Sequence, residues 1–332
     1  MNASSLRPTF RDQLVERVES RRASLFEAAS HLLRVDGKAI RPRCVQLIAR
    51  LGGDEPLEAH ERLAEAVEIL HVGSLIHDDI LDEAEVRRGV EAVHARFGNK
   101  AAVLAGDFLL SRSCGLIAGL GVQALNLRMA EVLSGLCEGE FQQDEQRYRL
   151  DVTLEEYLER VALKTSGPFE LACEGSALLS GHAPDQVQQA RRFGYHLGRL
   201  FQMYDDLLDF SASAVTAGKP VGQDLLAGQL TLPVILTLRH PERGPRLRAL
   251  LDPYPVELSP ELSAILTDPA VLADTAAALV REAEMARRCL EVYPSSPVRS
   301  ELEAYLDRMV EAARMVGGEN SLVTVELAPH GV

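Results

Sequence analysis

Apolar residues recur along this chain at steps of three and four, the spacing of one face of an α-helix. Phe10, Leu14, Val18, Leu25 and Leu32-Leu33 place a helix over residues 8–34, which Val35-Asp36-Gly37-Lys38 ends. Pro42 suits the first turn of a second helix running to Leu51. Gly52-Gly53 and Pro56 mark a loop, and a third helix spans about 56–83. Residues 85–98, with Arg87-Arg88-Gly89, read as a loop. Apolar helices over 101–120 and 122–147 follow, and Thr153-Leu154-Glu155-Glu156 is a capping box opening a helix to about 180. Pro184 opens a long helix to about 211. Residues 212–230, rich in Gly and Ala, read as a loop or short helix. Three or four shorter helices then run to about 316, broken at Pro241, Asp252-Pro253-Tyr254-Pro255 and Pro294.

No stretch alternates as a strand does. Val234-Ile235-Leu236 comes nearest, but Pro233 before it suits a helix start. The prediction is therefore all-α. No internal linker is polar or long enough to mark a boundary, so 1–332 reads as one domain, frayed over its first few and last fifteen or so residues. No self-similarity extends beyond one short motif.

Composition narrows the function. The 332 residues, 46% of them hydrophobic, suffice for a sizeable core. A net charge of −14 and a pI near 5.2 argue against nucleic acid or an anionic membrane as the main partner, leaving at most peripheral membrane contact. Cys44, Cys114, Cys137, Cys173 and Cys289 are scattered, without a CxxC, and read as reduced core cysteines of a cytoplasmic protein. The N-terminus lacks the apolar stretch of a signal peptide, and no run is expected to reach the length that spans a bilayer.

One acidic motif is written twice, as Asp78-Asp79-Ile80-Leu81-Asp82 and Asp205-Asp206-Leu207-Leu208-Asp209, each behind an apolar helical stretch. Residues i and i+4 share a helix face, so Asp78 with Asp82, and Asp205 with Asp209, form two carboxylate combs. A solvated helix end is the plain reading of one such run. Two of them, each on an apolar wall, point to divalent cations, and an oxygen-only donor set suits Mg²⁺ completed by phosphate. His71 shares the face of Val67, Ser74, Asp78 and Asp82, either as a satisfied core residue or as part of that site. Gly194 and Gly198 share the face of Leu197, Phe201 and Asp205, for close helix packing or for ligand room. Lys38, Arg41, Arg87, Arg88, Lys164 and Lys219 lie near predicted loops and together suit a diphosphate. No P-loop, nucleophile elbow or zinc-ligand spacing is present.

These segments resemble the trans-isoprenyl diphosphate synthases, or polyprenyl synthetases, from about residue 30 to 315. The resemblance is carried by GKAIRP at 37–42, HVGSLIHDDILD at 71–82, RRG at 87–89, FGNKAAVLAGDFLL at 97–110, KT at 164–165, GRLFQMYDDLLD at 198–209 and GKPVGQDLLAGQLTLP at 218–233. It implies a single large helical bundle with a central substrate cavity, acting as a homodimer. It implies three Mg²⁺ ions, held by Asp78 and Asp82 with Asp79, and by Asp205 with Asp206 and Asp209. Lys38, Arg41, His71 and Arg88 resemble the site for isopentenyl diphosphate. Arg87, Lys164, Thr165, Gln202 and Lys219 resemble the groups that face the allylic diphosphate, Lys164 and Lys219 with the catalytic aspartates. The allylic C–O bond ionises, the double bond of isopentenyl diphosphate attacks the cation, and a proton is lost. The sequence departs from the family at Ala39 and Gln229, each standing where a cation is common.

Gly73 and Ser74, five and four residues before Asp78, leave room where short-chain members place an aromatic ring. The resemblance therefore implies a long-chain product of about thirty to fifty carbons, of the octaprenyl or solanesyl class, rather than a farnesyl or geranylgeranyl diphosphate. A class I terpene cyclase and a non-catalytic partner subunit are the competing readings. The second intact DDxxD argues against the first, and all six aspartates argue against the other.

Overall fold

The computed structural model describes residues 9–53, 55–210 and 222–316, and these are mostly helical, as the periodicity predicts. They fall into two compact units: residues 9–130 with 171–182, and residues 131–170 with 183–316. Lys219 and both expected frayed ends lie outside the described residues.

The first unit opens with α1 (Phe10–Arg17), capped by Thr9 and Asp12 in a reciprocal box. The helix expected over 8–34 is interrupted. Arg22 N donates to Ser20 Oγ at 3.2 Å, a local bond that competes with helix continuation. The chain resumes as α2 (Ala23–Ser30) and a 3₁₀ turn over Leu32–Arg34. Then come α3 (Ile40–Leu51) and α4 (Glu58–Leu81). The expected loop after it is a two-stranded hairpin, β1 (Val86–Arg87) with β2 (Val90–Glu91), followed by α5 (Val93–Phe97). Strands of two residues are too short to leave an alternating pattern. Next are α6 (Asn99–Gly119) and α7 (Gln123–Glu145), the latter crossing the boundary between units.

α4 and α6 pack closely at small residues. A Cβ on Gly73 would sit 3.1 Å from Leu110 Cδ2, and one on Gly106 would sit 2.2 Å from His77 Nε2. The core here joins Leu14, Val18, Leu32, Ile69, Val72, Ile76, Ala105 and Leu109. α6 corrects one expectation: its 21 residues are long and apolar enough to cross a membrane. Its Ala102, Ala105, Leu109, Ser113 and Ile117 are buried in the unit, while Asp107 and Arg112 lie on the exposed face.

The second unit contains α8 (Leu154–Val161), a π turn over Ala162–Ser166, the first turn of α9 (Gly167–Leu179) and α10 (Pro184–Leu208). It continues with α11 (Gln223–Leu226), α12 (Leu232–Arg239), α13 (Arg243–Leu250), α14 (Pro260–Leu266), α15 (Pro269–Cys289) and α16 (Pro297–Met315). Prolines open α10, α14, α15 and α16, where the absent N–H has no partner to lose. The helix expected over 153–180 runs from Leu154 to Leu179 and carries the π turn within it.

Two glycines explain how α10 meets that turn. A Cβ on Gly194 would lie 2.5 Å from Phe169 O, and one on Gly198 would lie 2.6 Å from Ser166 Cα. Close packing thus accounts for both. None of the cysteines forms a disulfide, and Cys44, Cys173 and Cys289 are buried. Cys137 is exposed rather than in the core.

Candidate active site

Each unit carries one aspartate motif at the C-terminal end of a long helix. On α4, Asp78 is partly exposed and Asp82 exposed; the Asp82 N–H donates to Asp78 O at 2.8 Å and caps the helix. Asp79, one residue round the helix, points into the protein and is fully buried. Its Oδ1 accepts from Arg87 Nε at 2.6 Å and Nη2 at 2.5 Å. Burial raises its pKa, and the Arg87 bonds oppose that rise.

Arg87 ends β1, and Arg88-Gly89 form the two-residue turn of the hairpin. Their φ angles of 53° and 79° are both left-handed, as a type I′ turn needs. That conformation costs arginine about 1 kcal/mol, and it leaves the Arg88 guanidinium against the chain at Gly37. A Cβ there would stand 2.7 Å from Arg88 Nη1, so any larger residue would have to displace the guanidinium. Arg88 Nη2 lies 3.8 Å from Glu68 Oε1. Glu68 is buried, which raises its pKa against the pull of Arg41 and Arg88. His71 has its pKa pushed well down by burial, then by Arg41, Arg88 and Arg87. It is therefore a neutral imidazole at pH 7, with one donor and one acceptor nitrogen. The structure thus gathers Arg41, His71 and Arg88, and adds Glu68, which sequence reasoning missed. Its only sequence signal is a carboxylate inside the apolar run Ala66-Val67-Glu68-Ile69-Leu70. Lys38 is exposed beside Gly37, and Ala39 takes a left-handed φ of 43° at the start of α3.

The two positions preceding the motif separate. Gly73 is buried against Leu109 and Leu110 of α6, whereas Ser74 stays partly exposed and donates its hydroxyl to His71 O at 2.9 Å.

On α10, Asp205 is exposed and Asp209 partly so, while Asp206 is buried. Asp206 Oδ2 accepts from Tyr157 OH at 2.7 Å and from Leu232 N, in the first turn of α12, at 3.1 Å. Its Oδ1 accepts from Gln202 Nε2 at 2.9 Å, and Gln202 Oε1 accepts from Thr165 Oγ1 at 3.0 Å. Burial raises the Asp206 pKa and these three donors oppose it. Burial and the neighbouring Asp206 push the Tyr157 phenol well above its ordinary value, so it remains a donor. Lys164 and Thr165 sit on the π turn, a distortion that redirects side chains and is frequent at functional sites. Lys164 Nζ is ion-paired with Glu140 and donates to Gln143 Oε1 at 3.0 Å. Tyr157, Arg160 and Glu140 carried no motif signal.

Asp209 is strongly perturbed. Burial, then the charges of Asp206 and Asp205, raise its pKa to about 6. Its Oδ2 is buried without a hydrogen-bond donor among the described residues. A crowded oxygen-only set with an orphaned oxygen fits a hard divalent cation. Among the described residues, however, no three acidic, His or Cys groups converge enough to hold an ion alone. The physical reason is visible in both motifs: Asp79 and Asp206 are turned into the protein. Coordination would be completed by phosphate oxygens and water, the usual arrangement for Mg²⁺.

Comparisons with known proteins place the chain among relatives of known class. The family described as polyprenyl synthetase matches residues 22–260. Solanesyl diphosphate synthase 1, chloroplastic, of Arabidopsis thaliana is 38% identical over 89% of this chain and 74% of its own length. Heptaprenyl diphosphate synthase component 2 of Geobacillus stearothermophilus is 39% identical over 68% of this chain and 71% of its own. A decaprenyl diphosphate synthase structure from Rhodobacter capsulatus superposes with a TM-score of 0.83 at 31% identity, covering 92% of this chain and 95% of that one. A polyprenyl synthase structure from Caulobacter crescentus, complexed with calcium and isoprenyl diphosphate, gives 0.80 at 30% identity, covering 90% and 93%.

Proposed function

The chain belongs to the polyprenyl synthetase family, and from that premise we propose how its residues divide the work. It is a prenyltransferase, a polyprenyl diphosphate synthase of the long-chain type. Its substrates are isopentenyl diphosphate and an allylic diphosphate. The observation that supports the reading best is the shared design of the motifs: in each, the middle aspartate is buried and braced while its neighbours stand at the helix end.

Asp78, Asp82, Asp205 and Asp209 hold Mg²⁺, three ions in all, with Asp79 and Asp206 supporting them from behind. Bound with the allylic diphosphate, the cations supply Lewis-acid stabilisation of the leaving group. Lys164 and Lys219, with Arg87, Thr165 and Gln202, face that same diphosphate and its developing charge. Lys38, Arg41 and Arg88 hold isopentenyl diphosphate by charge, and neutral His71 donates one hydrogen bond without adding repulsion. The apolar residues of α4 exclude water from the reacting carbons. Ser74, small and partly exposed, leaves the growing chain room, whereas Gly73 sets the approach of α6. The chain works as one polyprenyl synthetase domain in a cytoplasmic homodimer. The exposed Val103 and Leu104 of α6 supply part of the contact between copies.

Purified protein incubated alone with Mg²⁺, both diphosphates and excess isopentenyl diphosphate is expected to give products longer than farnesyl and geranylgeranyl diphosphate. Chromatography of the dephosphorylated alcohols reads this directly. Accumulation of farnesyl diphosphate would overturn the long-chain reading. Activity only after addition of a second subunit would overturn the single-component one.

A further inference from the structure

A buried polar cluster in the second unit lies behind the aspartate motif. Asp206 is 4% exposed and accepts three hydrogen bonds, from Tyr157, Gln202 and the Leu232 N–H. Tyr157 is itself 1% exposed and fixed from its other side. The Arg160 guanidinium lies 5.7 Å from the centre of its ring. Arg160 in turn donates to Gln146 Oε1 at 2.6 Å and to Leu230 O at 2.8 Å. The result is a buried strut from α8 to the C-terminal turn of α10, with a branch through Gln202 to Thr165 of the π turn.

We propose that Tyr157, backed by Arg160, is a positioning residue that holds Asp206 as an anchored strut, so that Asp206 aims Asp205 and Asp209 without ligating a cation itself. This rests on the metal-dependent reading above and goes beyond it by assigning the buried shell. Two features support it. Both Asp206 oxygens are already engaged, Oδ2 twice. And Asp206 shares the last turn of α10 with Asp205, with Asp209 capping it, so its anchorage fixes the rotation of that segment. The branch to Thr165 ties the turn bearing Lys164 to the same anchor.

The strut and ligand roles respond differently to near-isosteric change. In Asp206→Asn the amide oxygen can keep the bonds from Tyr157 and Leu232 N. Its NH₂ then meets Gln202 after that amide flips, and Thr165 Oγ1 accepts the turned Gln202 NH₂. A ligand carboxylate has no such substitute. The experiment is calorimetric titration of Mg²⁺ into protein holding inorganic pyrophosphate, with circular dichroism and melting temperature on each variant. Tyr157→Phe is expected to raise the Mg²⁺ midpoint about tenfold, the effect typical of groups that orient ligands, with helix content unchanged. Asp206→Asn is expected to lose far less Mg²⁺ affinity than Asp205→Asn. Tyr157→Phe with a lower melting temperature but the wild-type midpoint would overturn the positioning role. Asp206→Asn as damaging as Asp205→Asn would overturn the claim that it is no ligand. Wild-type protein taking up no Mg²⁺ with pyrophosphate would instead overturn the functional reading itself.

Discussion

The two aspartate motifs have the same letters and the same helical placement, yet they are braced by opposite chemistry. Asp79 is held by one cation, Arg87, reaching back from a hairpin eight residues on. Asp206 is held by three neutral donors, Tyr157, Gln202 and a backbone N–H. A buried ion pair depends wholly on its partner, whereas a carboxylate shared among several donors loses one bond at a time. The helix walls before the motifs differ too. At seven and four residues before the first aspartate, α4 has His71 and Ser74, while α10 has Gly198 and Phe201. One wall carries polar side chains, and the other is packed tightly onto Ser166 and Phe169.

Replacing the leading aspartates removes what the motifs share. Asp78→Ala and Asp205→Ala should each lower kcat by roughly a thousandfold or more, as loss of a principal charge-stabilising group does. Helix content should stay near wild type, and steady-state kinetics with and without EDTA check this. A variant retaining wild-type turnover would break the equivalence of the motifs.

Ser74→Phe makes the first wall resemble the second. A ring beside the first comb should close the path of the growing chain and shorten the product toward fifteen or twenty carbons. Product chromatography reads the change, and an unaltered product would place the chain elsewhere.

Arg87→Ala tests the difference in bracing. Stranding the fully buried Asp79 carboxylate should cost about 3 kcal/mol in urea unfolding. Adding Asp79→Asn should recover much of that loss, because the uncompensated charge goes with it. A double-mutant cycle with no coupling would contradict the ion-pair account.

The smallest effect is a pH dependence carried by Asp209 of the second motif. Asp209 has its folded pKa raised to about 6 from 3.8, so the folded state binds the proton more tightly than the unfolded one. Its contribution to stability is full below pH 3.8 and is lost as pH rises through about 6. Mg²⁺ with pyrophosphate relieves the crowding of the ionised form, so it should raise the melting temperature more at pH 7.5 than at pH 5. Differential scanning fluorimetry at the two pH values compares them, and equal shifts would remove Asp209 from the cation site.

Much of this molecule was legible in its residues. The helices over α3, α4, α6 and α10, the proline starts and the breaks after them follow from apolar spacing and local capping, which are written within a few residues of each other. The doubled DDxxD, the RRG and KT segments and the family they resemble were equally local. What sequence could not state is which aspartate of each motif turns inward, because that depends on partners brought from elsewhere. Tyr157 reaches Asp206 across 49 positions, and Arg160 reaches Leu230 across 70. The interruption at Ser20, the π turn under Lys164 and the I′ hairpin under Arg88 were likewise invisible, since each is a shift of one or two residues that periodicity does not resolve. Residue spacing determined the helices and the kind of chemistry they carry. Tertiary packing alone decided which carboxylates are left to meet a cation, because burial and hydrogen-bond partners exist only once distant segments are in contact.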